Sequence, residues 1–133
     1  MATIRIAAAI IRDGNGNLLL VRKRGTQAFM QAGGKIEPDE QPVNALAREL
    51  REELGITMAQ STYLGKFSAP AANEPGAEVV AELFEVTADQ EPVPAAEIEE
   101  MIWFSPGQRE DILLAPLTRD IVLTREAGEK QIG

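Results

Sequence analysis

The chain has no cysteine and no histidine. The first absence excludes disulfides, thiolate zinc sites and cysteine nucleophiles. The second excludes a Ser-His-Asp triad and imidazole-bound metals, so acid–base work falls to Asp, Glu, Lys, Arg or the single tyrosine, Tyr63. Positive charge is scarce: 13 Lys and Arg stand against 21 Asp and Glu, a formal net charge of -8. That balance disfavours attachment to a nucleic acid polymer or an anionic membrane, since both need clustered cations. Long apolar runs are lacking too. The N-terminal MATIRIAAAII is too short to span a bilayer and has no signal-peptide layout, so the expected setting is cytoplasmic.

What is present describes an ordinary globular chain. Its 133 residues are 44% hydrophobic and 26% charged, which predicts one domain over residues 1–133 with a real core. Residues Thr3 to Arg12 read as a strand with β-branched Ile at positions 4, 6, 10 and 11. Within it, Ala7-Ala8-Ala9 permits close approach of a backbone or a ligand, or tight packing under a helix. Asp13 to Asn17 signals a hairpin turn, and Leu18 to Arg22 a return strand buried on both faces. The strand ends in Arg22, Lys23 and Arg24, a solvated end or a phosphate clamp built on one of the arginines. Gly25 to Ala32 is a loop with Phe29 and Met30, either a lid over a base or a packed connection.

Further on, a glycine turn at Gly33-Gly34 leads to a helix from Asp39 or Pro42 to Leu54. Pro42 suits its first turn and Gly55 its C-terminal stop. Val43, Leu46, Ala47, Leu50 and Leu54 form an apolar stripe. Glu49, Glu52 and Glu53 stand at i, i+3 and i+4 and share another face. Three glutamates alone more often mark a solvated helix face than a site. If they hold a metal, an oxygen-seeking divalent ion such as Mg²⁺ suits them best. Strands then follow at Thr57 to Ala69 and Ala77 to Thr87 around the turn Asn73-Glu-Pro-Gly76. A Pro-rich acidic loop, a strand at Glu97 to Phe104, a helix start at Ser105-Pro106 and a final helix from Pro116 to Glu126 complete the chain. The alternation predicts a mixed sheet between helices.

The spacing around the glutamates is more specific than the glutamates themselves. From Gly34 through Glu40 to Arg48-Glu49-Leu50-Arg51-Glu52-Glu53-Leu54-Gly55-Ile56, the chain matches G-x5-E-x7-R-E-U-x-E-E-x-G-U, where U is a bulky aliphatic. Average residue usage puts a chance match at odds on the order of 10⁻⁷ or lower. The chain resembles a Nudix hydrolase of the MutT-like kind, over nearly its whole length. The resemblance implies an α/β fold, the α/β/α sandwich with a mixed sheet. It also implies hydrolysis of a nucleoside diphosphate linked to another group, with Mg²⁺ or Mn²⁺. On that resemblance Gly33, Glu49, Glu52, Glu53 and Glu97 are the expected metal ligands, with Glu99 or Glu100 as substitutes for Glu97. Glu52, Glu53 and Glu97 are the candidate bases, and Arg48 orients a glutamate. Glu40 is more structural.

Arg22, Arg24, Phe29 and Lys35 are the expected substrate contacts, with Phe67 a second candidate for base stacking. The favoured substrate is a nucleoside triphosphate giving the monophosphate and pyrophosphate. ADP-ribose, a nucleotide sugar or a dinucleoside polyphosphate are alternatives, as is a non-catalytic nucleotide sensor of the same fold. The partner is thus a small-molecule nucleotide, with a homodimer possible. Asp39 stands where such chains commonly have Gly, and either adopts positive φ or caps the helix. Ala32 stands where proline is frequent, which would loosen the glycine turn. Residues 115–120 lack the asparagine associated with oxidised guanine.

Overall fold

The computed structural model describes residues 2–105 and 111–125. The small-sided N-terminal segment forms β1 (Thr3–Ile10), and both of its edges are occupied. On one edge it pairs antiparallel with β4 (Ala32–Lys35), placing Ala8 opposite Gly33. On the other it runs parallel to β6 (Glu78–Ala88), which pairs antiparallel with β5 (Met58–Pro70). The mixed sheet therefore has the order β4-β1-β6-β5. β2 (Leu18–Lys23) pairs antiparallel with β7 (Ile98–Phe104), and the two-residue strands β3 (Ala28–Phe29) and β8 (Leu113–Leu114) pair parallel.

The Asp13 turn forms, with the Asp13 carboxylate accepting N–H bonds from Asn15 and Asn17, both at 2.9 Å. The hairpin expected around it does not extend. Pairing ends with Leu19 N–H on Ile11 O at 2.9 Å and a bridge between Arg12 and Leu18, because β4 and β6 already cover β1. The return strand enters the second sheet instead, with Leu18 to Val21 all buried. The β5–β6 hairpin forms fully, with register shifts at Met58/Gln60 and Tyr63/Gly65. The Gly33-Gly34 turn is corrected: both glycines lie in strand β4, and Ala32 pairs with Ala9 there rather than loosening a turn. The helix start expected at Ser105-Pro106, and the chain beyond Arg125, lie outside the described residues.

Helix α1 (Pro42–Leu54) has Pro in its first turn. It ends at Gly55, whose φ of 67° suits a residue without a side chain. Gly55 N–H bonds Arg51 O at 3.1 Å. The acidic loop closes the same end, with Val93 N–H on Leu54 O at 3.0 Å and Ala95 N–H on Glu53 O at 2.9 Å. Its N-cap, Gln41, makes no side-chain capping bond. Leu46, Leu50 and Leu54 are fully buried against Ala7 and Ala9 of β1. Each contributes about 1.5–3 kcal/mol, which outweighs the ~1 kcal/mol of a missing cap. The final helix forms as expected over residues 116–125, and its middle, α2 (Leu117–Val122), is wound as a π-helix, with Leu123 N–H reaching Thr118 O. Val122 packs with Ala8 and Ile10, on the β1 face opposite α1. The two helices thus flank the mixed sheet. Among the described residues no helix is long and apolar enough to cross a membrane.

Asp39 adopts φ of 67° and does not cap α1. Glycine has no steric cost there, and a β-branched residue has the most. Asp39→Gly is expected to be neutral or stabilising by up to about 1 kcal/mol, and Asp39→Val to destabilise by about 1–2 kcal/mol, in urea unfolding.

Candidate active site

Two glycines set the site's geometry. A Cβ on Gly33 would lie 2.1 Å from the Ala7 carbonyl oxygen, and the φ of 146° is itself one that side chains avoid. A Cβ on Gly34 would lie 2.4 Å from the Glu49 carboxyl carbon. The glycine pair therefore lets β4 press against β1 on one side and receive the α1 carboxylates on the other. Gly33 N–H donates to Glu53 Oε1 at 3.3 Å.

The three α1 glutamates do not converge. Glu53 points inward and is 2% exposed, Glu49 is half-buried, and the Glu52 side chain is 58% exposed. Like charges repel, and each takes different company. Arg48 donates to Glu49 Oε1 at 2.8 Å and lies only 4.0 Å from Glu52. Its fork also grips Glu40 at 3.0 and 2.9 Å and bonds Lys35 O at 3.2 Å. That hydrogen bonding holds the Glu40 carboxyl down at about 2. Among the described residues no group of three or more carboxylates is close enough on its own to hold a metal.

Glu53 is the anomalous group. Burial pushes its carboxyl up to about 7, against the pull of the Lys23 charge and the Gly33 N–H, with Glu49 and Glu97 adding to the rise. Its second oxygen, Oε2, is buried without a hydrogen-bond partner. A buried carboxylate oxygen with nothing to accept from is costly. An all-oxygen donor set with one vacant buried lone pair suits a hard divalent cation.

The late acidic residues separate cleanly. Glu99 pairs with Arg24 at 3.2 Å and Glu100 with Arg22 at 3.1 Å. Glu97 instead meets Lys23, at 3.4 Å, the cation that also acts on Glu53. Of the three, Glu97 is the one whose charge acts on Glu53.

Beside this group opens a cleft of about 170 Å³. Ile4, Ile6 and Ala8 of β1 line it, together with Gln31, Lys23 and Lys35. Gln31 accepts a 2.7 Å hydrogen bond from the buried Thr118 hydroxyl of α2. Of the four expected substrate contacts, Lys35 lines the cleft. Arg22 and Arg24 do not: Arg22 is tied to Glu100 and to Thr26 O at 2.8 Å, and Arg24 to Glu99. Phe29 is 5% exposed, packed with Leu20 and Phe104, so its ring offers no stacking face. Phe67 packs against Ala69 and Ala81.

Sequence reasoning passed over Lys23, Gln31 and Thr118. Strand parity set by Leu19 and Val21 does not reach Lys23, because a bulge between Arg22 and Lys23 interrupts it. Gln31 and Thr118 carry no local signal; a distance of 87 positions along the chain separates them.

A family model for the NUDIX domain matches residues 2–125. The chain is 35% identical to the CTP pyrophosphohydrolase of Escherichia coli K12 over 87% of its own length and 86% of the relative's. It is 38% identical to an 8-oxo-dGTP diphosphatase of Haemophilus influenzae, over 48% of the chain and 50% of the relative. Its fold matches the crystal structure of a MutT protein from Methanosarcina mazei with a TM-score of 0.78 and 25% identity, covering 97% and 96% of the two chains.

Because the folded state holds the Glu53 proton more tightly than the unfolded chain, that contribution is fullest below the ordinary carboxylate value of 4.5 and is lost as pH rises through about 7. In chelator, unfolding free energy is expected to fall by on the order of 1–3 kcal/mol between about pH 5 and about pH 8. Glu53→Gln should flatten that slope in urea titrations. Glu40, held at about 2, titrates outside the window.

Proposed function

The chain belongs to the NUDIX family of phosphoanhydride hydrolases, and from that premise we propose that it cleaves a nucleoside triphosphate to the monophosphate and pyrophosphate. The observation that carries this reading is Glu53, a buried carboxylate with one oxygen steadied by Gly33 and the other unpartnered. The names of the two curated relatives, for CTP and for 8-oxo-dGTP, support a triphosphate. Residues 1–133 act in this reading as a single domain with a small-molecule nucleotide as partner.

Glu49, Glu52, Glu53 and Glu97, with the Gly33 carbonyl, would hold Mg²⁺ or Mn²⁺, which when bound supplies charge neutralisation at the diphosphate and acidifies water. The chain's own groups do the rest. Glu53, through a carboxylate lone pair that the metal leaves free, accepts the proton of the attacking water. Arg48 keeps Glu49 over Gly34. Lys35 offsets substrate charge in a chain whose net charge is -8. Ile4, Ile6 and Ala8 give the base an apolar floor, and the Gln31 amide beside Thr118 reads its polar edge.

A panel of nucleoside triphosphates, ADP-ribose and nucleotide sugars with Mg²⁺, scored for pyrophosphate or phosphate release, tests the reading. Pyrophosphate from a triphosphate is expected, with kcat falling about 10²–10⁴-fold in Glu53→Gln. Undiminished turnover in a folded Glu53→Gln protein would overturn the assignment.

A further inference from the structure

We propose that Lys23 is a resident counter-cation of the carboxylate site, which a divalent ion displaces in order to settle between Glu53 and Glu97. The inference rests on the metal reading above. Three consecutive cations stand at the end of β2, Arg24 just beyond it, and their partners differ in kind. Arg22 and Arg24 end on Glu100 and Glu99, and neither lines the cleft. Lys23 alone of the three lines the cleft while its ammonium lies 3.4 Å from Glu97. The same ammonium acts electrostatically on Glu53, whose Oε2 has no partner. One side chain thus spans the acidic group and the substrate cleft.

The residue type suits the role. Lysine is a point charge on a flexible stem, whereas an arginine fork would lock onto a carboxylate in two bonds. The Glu97 side chain is 61% exposed and that of Lys23 31% exposed, so solvent weakens their pairing. The backbone beneath is firm, with Arg24 N–H bonded to Glu97 O at 2.8 Å. The ammonium can therefore leave Glu97 without moving the strand. Before binding it offsets the charges of Glu97 and Glu53. Once displaced, it is already beside the cleft, where it meets the phosphates of the incoming nucleotide.

Mn²⁺ affinity, read by electron paramagnetic resonance without substrate, tests this. Lys23→Met should bind Mn²⁺ on the order of tenfold more tightly than wild type. Arg24→Met makes the same charge change one residue away and should shift affinity less than twofold. Circular dichroism checks each fold, with Lys23→Gln as the second variant. In wild type the Lys23 ammonium NMR signal should move on adding Mg²⁺. Unchanged or weaker Mn²⁺ binding in a folded Lys23 variant would overturn the proposal, as would an equal gain in Arg24→Met or an unmoved Lys23 signal. Wild type that binds no Mn²⁺ would sink the metal reading as well, which separates the two failures.

Discussion

The arrangement depends on one guanidinium. Arg48 holds Glu40 in two hydrogen bonds, Glu49 in a third and the Lys35 carbonyl in a fourth. It thereby ties together the turn before α1, the helix itself and the strand that carries the glycines. The apolar stripe places α1 on the sheet, but burial is non-directional and would tolerate a small rotation of the helix. The planar fork does not, because its bonds have fixed directions. A bidentate, partly buried grip of this kind is also stronger than the exposed pairs along β2 and β7.

Two glutamates are buried among the described residues, and they show what distinguishes structure from chemistry. Glu82 is satisfied: the Tyr63 hydroxyl donates to it at 2.6 Å, and Lys66 and Arg5 lie 3.7 and 3.8 Å away. Glu53 has one 3.3 Å bond and an empty oxygen. Both carry the desolvation cost of burial, but only one has that cost offset by its neighbours. A carboxylate kept in such a position weakens the fold locally, as sites that must receive a ligand often do.

Legibility in the sequence followed locality. The helix, its stop at Gly55 and the spacing of Arg48 and the glutamates lie within one short segment, so spacing alone described them. The positive φ of Asp39 was readable for the same reason. The Gly33-Gly34 pair was misread as a turn because glycine signals a turn and a close strand approach equally well; only the Ala7 carbonyl opposite decides. Phe29 failed because hydrophobicity does not say whether a ring packs or presents itself. Arg22 and Arg24 failed because their partners come from β7, and a bulge between Arg22 and Lys23 alters the pairing just where the site begins. The cleft was invisible throughout, being assembled from β1, β4, the β5–β6 turn and α2.

The irregularity of β5 has a consequence for how copies of the chain meet. β5 is an outer strand of the mixed sheet, and an outer strand is a template on which another chain can add. Its two register shifts break the repeat of backbone donors and acceptors, Gly65 bends the strand, and Lys66 puts a charge in its middle. No long straight run of unpaired backbone is left for edge-to-edge growth. The bulges that disturb the hairpin thus also make β5 a poor template for a second chain.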